Sequence, residues 1–348
     1  MRGHCGLFFE SYRAEAAVFP STFQRVCLGL FVAALLACPF MLSSYYVSVM
    51  NLIFIAVIGA VSLNLLTGVC GQISLGHGAF IGVGAYAAAQ ASLHGAPFLA
   101  ALVLGGFAAA LAGMVFGVPS LRLKGIYLAI ATLAAQLILE YVFLHWESVT
   151  GGSRGLVVNA PQILGYSFDT ERKTFYLLLA VTSLCLLCVT NVLRSRHGRA
   201  FVSIRDFYLS AEIAGVNLFS SKLAAFGLSS FLAGVAGGLW AHYTMFISAE
   251  QFGIGLSVSY LAMIIIGGLG SVSGSVMGAA FMTLLPEFLN AGSSALSGVL
   301  PDISGSIVAL REGVFGLVLV LFLVFEPEGL ANRWRLIKAY WKLYPFSH

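Results

Sequence analysis

Charge is what this sequence has least of. Only 9% of its 348 residues are Asp, Glu, Lys or Arg, against about a quarter in an average soluble domain. Eighteen Lys and Arg with 14 Asp and Glu cannot give a chain of this length a polar skin, which excludes a soluble enzyme. A net charge of +4 leaves no basic footprint for nucleic acid. Cysteine is sparse as well. Of the six, most lie inside apolar runs as small hydrophobes, and Cys185 with Cys188 forms a CxxC without polar flanks, so no disulfide framework follows. The 39 glycines follow no three-residue period, which excludes a collagen-like chain. No Walker A motif occurs, and Gly270-Ser271-Val272-Ser273-Gly274 lacks the lysine a phosphate-binding loop needs. Nor does any nucleophile, base and orienter set stand out. The expectation is a protein that is not an enzyme and carries no cofactor and no metal.

What remains is apolar. Hydrophobic residues make up 59% of the chain and mean hydropathy is +0.94. Apolar runs lie near 26–44, 48–66, 78–93, 97–118, 126–144, 174–193, 223–245, 257–267, 275–291 and 313–325. They are continuous rather than alternating, which argues for membrane-spanning helices and against a β-barrel. The predicted fold is all-α and polytopic, with about ten transmembrane segments. Residues 1–25 form an N-terminal segment, 26–330 the membrane domain and 331–348 a tail. The third, eighth and tenth runs are short, and the third and eighth can be broken or re-entrant.

Lys and Arg set the orientation. If every run crosses and the N-terminus is inside, the inside segments hold Arg2, Arg13, Arg25, Arg122, Lys124, Arg194, Arg196, Arg199, Arg205, Lys222, Arg333, Arg335, Lys338 and Lys342. Only Arg154, Arg172, Lys173 and Arg311 fall outside. Both termini are therefore expected in the cytoplasm of a bacterial or archaeal cell, with the chain in its inner or plasma membrane. Runs one to five and six to ten then form two inverted five-helix halves. Gly71-Gln72-Ile73-Ser74 returns as Gly270-Ser271-Val272-Ser273, a short recurrence in keeping with such a repeat.

Two glycine-rich hairpins and one loop carry the polar features. Gly68 to Gly84 sets Gln72, Ser74 and His77 beside Gly76 and Gly78, a pattern that suits either a polar pathway or close helix packing, with His77 bonded to a nearby carbonyl. In the second hairpin Gly270, Gly274 and Gly278 follow small-xxx-small spacing, which favours packing. The loop at 194–222 holds five of the inside cations. Within it Phe201, Ile204, Tyr208, Ala211 and Gly215 recur at helical steps, with Gly198 before the helix and Gly215 and Asn217 after it. That amphipathic helix suits either an anionic lipid surface or a groove on a soluble partner. Glu140 and Glu287 are the acids within the runs, both expected near the outer rim.

Several stretches resemble one family. Asn64-Leu65-Leu66-Thr67-Gly68 through Gly84, Arg122-Leu123-Lys124-Gly125-Ile126-Tyr127-Leu128-Ala129-Ile130-Ala131-Thr132-Leu133, the loop Gly198–Gly215, Lys222-Leu-Ala-Ala-Phe226 and Ile266-Gly267-Gly268-Leu269-Gly270-Ser271-Val272-Ser273-Gly274 look like the LivM-type permease of branched-chain amino acid ABC importers. The resemblance covers about 45–330 in the same order. It implies a permease subunit for branched-chain or other hydrophobic amino acids, or for urea or short-chain amides, since related permeases look alike. It implies a homologous second permease subunit, two cytoplasmic ATPase subunits and a periplasmic or surface-tethered solute-binding protein as partners. It also carries ATPase coupling onto Arg199, Ala200, Arg205, Asp206, Ala211, Glu212 and Gly215. The pathway would run beside Gln72, Ser74, Gly76, His77 and Gly78 and beside Gly270, Ser271, Ser273 and Gly274. Phe207-Tyr208-Leu209-Ser210 departs from the family pattern by being apolar. A stand-alone secondary carrier is the competing class; it would need mid-membrane coupling groups, for which His77 is the one candidate. A purely structural membrane scaffold is a third.

Overall fold

A computed structural model describes residues 22–120, 125–163, 165–297 and 328–343, with scattered helical positions between 313 and 325. Arg122, Lys124, the first 21 residues and most of the tenth run lie outside the described residues. The chain is a bundle of helices: α1 Thr22–Met41, α2 Ser44–Asn64, α3 His77–Leu93, α4 Phe98–Ser120, α5 Ile126–His145, α6 Glu171–Arg194, α7 Arg196–Ile213, α8 Leu218–Thr244, α9 Ile254–Gly267, α10 Val272–Ser297 and α11 Leu330–Leu343. Four two-residue strands are the extended structure among the described residues. Leu156–Val157 pairs with Phe246–Ile247, which ties the 145–170 loop to the end of α8.

The protein is an all-α, multi-pass membrane protein. Among the described residues seven helical segments are long and apolar enough to cross a bilayer: Ser44–Val69, Phe98–Pro119, Ile126–His145, Glu171–Arg194, Leu218–Thr244, Ala249–Gly267 and Val272–Asn290. The difference from ten has physical causes. The first run yields only the shorter apolar stretch Val26–Met41, although its helix starts at Thr22, before the expected boundary at 25. The third gives α3, whose 17 residues include His77 and Gln90. The tenth lies mostly outside the described residues.

Glycine sets the packing. α3, α4 and α8 pack together closely, and α2, α9 and α10 form a second such trio. In the first trio Gly84, Gly105 and Gly234 let three backbones touch. A Cβ on Gly84 would sit 2.7 Å from the Gly234 carbonyl carbon, and one on Gly105 would sit 2.6 Å from the Gly84 oxygen. In the second, a Cβ on Gly274 would lie 2.8 Å from the Gly268 oxygen, so the small-residue spacing of α10 is a packing face against α9.

The two Gly-x-(Ile/Val)-Ser motifs meet at the same end of the bundle, where Asn64 bonds to Gly270 and Ser271. Segments related by inversion would stand at opposite ends, so this recurrence does not mark a repeat.

Candidate functional site

The chain leaves helical geometry twice in quick succession between α2 and α3. α2 first widens into a π-turn over Leu65–Val69, then ends at Cys70, and Gly71 turns the backbone with φ +73°. Residues 71–76 run non-helically back into the bundle, and α3 starts at His77. His77 lies level with Gly59, nine residues before Gly68 on α2, which is about 13 Å deeper at 1.5 Å per residue. The segment turns back into the bundle, and α3 begins inside the protein.

A helix that starts in an apolar interior has amide groups with no partner of their own. Here other helices supply them. Ser257 Oγ of α9 accepts from the Gly78 amide at 2.7 Å, and Gln136 Oε1 of α5 accepts from the Ala79 amide at 2.8 Å. Ser257 donates to Gln136 Oε1 at 3.0 Å, and Gln136 Nε2 donates to the Phe252 carbonyl at 2.6 Å. Thr132 Oγ1 accepts from the Leu75 amide at 2.9 Å. His77 Nε2 is 3.0 Å from both the Gly59 carbonyl and Ser62 Oγ. A carbonyl only accepts, so Nε2 carries the hydrogen there, and the ring edge meets Tyr260. His77 is thus a buried histidine held through Nε2 by α2. Ser74 is wholly buried, whereas the buried Gln72 Oε1 has no hydrogen-bond partner among the described residues.

The other end of the break is capped by α7. The Gly68 carbonyl, freed by the π-turn, accepts from Arg205 Nη1 at 2.9 Å. A cation at a helix C-terminus also complements its dipole. Arg205 pairs with Asp206 at 2.8 Å. Gly71 packs against the backbone of Arg205, and a Cβ on Gly270 would lie 3.0 Å from its Nη1. The last residue of α2 completes the junction: Asn64 Oδ1 accepts from the Gly270 amide at 2.8 Å, and its Nδ2 donates to the Ser271 carbonyl at 2.9 Å. Ser271 in turn caps α10 by accepting from the Gly274 amide at 3.2 Å. The structure therefore brings together Arg205, Gly68, Gly71, Gly270, Ser271 and Gly274, which the sequence divides between a loop and two hairpins.

α7 departs from the expected helix. Ser195 caps it, accepting from the His197 amide, so Gly198 lies inside rather than before it. Phe207 breaks it with φ −158° and ψ 92°. Phe201, Ile204 and Ala211 are buried as the periodicity requires, but beyond the kink Tyr208 and Gly215 are exposed. Asn217 caps the start of α8 rather than the end of α7. Arg199, Asp206 and Glu212 face outward and Ala200 is half-buried. The kink turns Phe207, Leu209 and Ile213 outward, at 62%, 48% and 88% exposure, into an apolar patch beside the cations. At the opposite end the Tyr45 hydroxyl donates to Glu287, so this acid is partnered.

Residues 45–323 match the family model described as the branched-chain amino acid transport system permease component. The chain belongs to this family. The high-affinity branched-chain amino acid transport system permease protein LivM of Escherichia coli K12 is 30% identical over 332 residues, covering 88% of this chain and 75% of its own. LivM of Salmonella typhimurium matches to the same extent. The autoinducer 2 import system permease protein LsrC of Salmonella typhi is 28% identical over 281 residues, 76% of each chain. No solved structure matches.

In this permease Gln136 and Ser257 are missing from the sequence reading, and Asn64 enters it only through the family resemblance. Each is one of the few polar residues in an apolar run, the one signal they offer. Asn64→Ala removes both bonds to the second hairpin. At roughly 1 kcal/mol per bond the Gly270 amide should exchange about thirtyfold faster with deuterium. Unchanged exchange at Gly270 would refute the clasp.

Proposed function

We propose that this protein is the membrane subunit of an ABC importer for branched-chain or other hydrophobic amino acids, driven through α7 by a separate ATPase. The observation that carries this is the double role of α7. One face holds Arg205 on the carbonyl of Gly68 and against both hairpins, while the opposite side of the kink offers Phe207, Leu209 and Ile213 to a partner. Exposed apolar residues of this size outside the spans suit a protein groove. Arg199, Ala200, Arg205, Asp206, Ala211, Glu212 and Gly215 are the coupling positions. A push on α7 moves the Gly68–Gly71 and Gly270–Gly274 hairpins together, which suits a rigid-body change between outward- and inward-open states. Solute passes beside Gln72, whose amide oxygen has no hydrogen-bond partner among the described residues, and beside Ser74, His77, Ser271 and Ser273. A homologous second permease completes the pathway, two ATPase subunits bind the α7 end, and a solute-binding protein delivers from the other. The scarcity of interior charge leaves selectivity to that binding protein.

Two inverted halves suit the packing, with α2, α3 and α4 matching α8, α9 and α10. Each trio contains one helix from the other half, and both α3 and α9 are short, α3 following a non-helical segment and α9 a short 3-10 turn. Both termini are placed in the cytoplasm on the charge asymmetry.

The test replaces Arg205 and Asp206 by alanine in the assembled importer. Arg205→Ala is expected to lower uptake by about tenfold or more, the worth of a hydrogen bond to a charged donor. Phe207→Asp with Ile213→Asp should abolish ATPase co-purification. Normal association and uptake in all of these would reject the coupling role. Competition of labelled leucine uptake by other amino acids, urea and acetamide settles the solute, and uptake by the purified chain alone would favour a secondary carrier.

A further inference from the structure

Helix α11 has no part in the reading above. Its sequence, Leu-Ala-Asn-Arg-Trp-Arg-Leu-Ile-Lys-Ala-Tyr-Trp-Lys-Leu, holds four cations and no acid. Arg335, Lys338 and Lys342 follow at steps of three and four in the sequence, the spacing of one helical face. Trp334, Ile337 and Trp341 repeat that spacing one residue earlier, so their stripe lies about 100° away. Arg335 and Lys338 are exposed. So are Trp334, Leu336, Ile337 and Tyr340, each at half its surface or more.

The start of α11 fixes its level. Ala331 is buried, and the described contacts of α11 run to α9 and α10. Just before it, Gly329 adopts φ +74° and lies against Gly268 so closely that a Cβ would come within 2.6 Å of the Gly268 Cα. Gly268 sits in the hairpin where the span Ala249–Gly267 ends and Val272–Asn290 begins. Adjoining spans turn at the edge of the hydrocarbon layer, so α11 starts at headgroup level. An apolar and aromatic stripe flanked by cations at that level is the pattern of a helix lying in a membrane interface.

We propose that α11 is a membrane-surface helix that binds anionic phospholipid headgroups through Arg335, Lys338 and Lys342, with its Trp334–Ile337 stripe seated in the acyl boundary. A helix with cations and no acid matches a surface of one charge sign, whereas a protein groove would be met by mixed signs. Each cation near an anionic surface favours the bound state about fivefold, so the three together favour it on the order of a hundredfold. Because Gly329 is packed on Gly268, the helix ties the second hairpin to the composition of the leaflet. This surface is separate from the one α7 presents.

The test is hydrogen exchange on the full chain in nanodiscs of phosphatidylcholine, with and without phosphatidylglycerol. Amides of 333–343 should exchange roughly tenfold or more slowly with phosphatidylglycerol present, and high salt should remove the difference. The variant Arg335→Gln/Lys338→Gln/Lys342→Gln should lose the phosphatidylglycerol effect while 44–69 stays protected. Lys338→Gln alone, a milder change, should lose part of it. Equal exchange in both lipids for the unaltered chain would overturn the proposal. So would protection that appears only on adding the ATPase, in either lipid, which would make α11 a protein-docking helix.

Discussion

Gln136→Leu is expected to destabilise this permease more than any other single polar substitution among the described residues. The leucine fills similar space but leaves the Ala79 amide, the Phe252 carbonyl and the Ser257 hydroxyl without the partner each now has. A buried donor or acceptor left unsatisfied costs ~1–3 kcal/mol. Water is scarce at this depth, so little of that loss is recovered. Three such groups put the total at roughly 3–9 kcal/mol, with a melting temperature in detergent lower by about 10 °C or more. Ser257→Ala removes one acceptor, from the Gly78 amide, and should show about a third of the effect. A melting temperature for Gln136→Leu within a degree or two of the unaltered protein would mean that the start of α3 needs no borrowed cap.

Gly84→Ala is expected to prevent the α3, α4 and α8 trio from closing. The added Cβ meets backbone atoms of Gly234 rather than a movable side chain. Ordinary overpacking costs about 1–3 kcal/mol when side chains can give way; here two helix axes must part, and the contact between Gly234 and Gly105 parts with them. The measurement is the yield of monodisperse protein after extraction. Gly255→Ala is the control. Its Cβ meets nothing within 4 Å, and alanine is the better helix former by up to about 1 kcal/mol. Equal yields of the two variants would refute the close approach.

Much of this was legible in the residues because burial in lipid demands long apolar runs, and the short third run with its glycines and polar side chains marks the place where the helix is interrupted. The buried side of α7 was legible as far as Ile204, where the period of 3.6 holds. It failed at Tyr208 because Phe207 leaves helical geometry, and the apolar Phe207-Tyr208-Leu209 was the visible trace of that break. The union of the hairpins with α7 was not legible. It depends on Asn64 bonding to residues 206 and 207 positions away, and on Arg205 reaching Gly68 across 137. The repeated Gly-x-(Ile/Val)-Ser motif misled for a related reason. Short motifs rich in glycine and serine recur wherever tight turns are needed, and these two turn at one end of the bundle.

The borrowed caps on α3 also govern the order in which the chain can be completed. Synthesis runs from the N-terminus, yet the Gly78 amide waits for a hydroxyl 179 residues further on. Gln136 of α5 can cap the Ala79 amide earlier, but until α9 is made the Gly78 amide stays open, and the start of α3 has to remain in contact with water or with the insertion machinery. Its settling into place can therefore follow only after residue 257 of 348 has emerged. A ribosome stalled before that point should leave residues 71–79 open to modification from the aqueous side, however well the surrounding helices have already inserted.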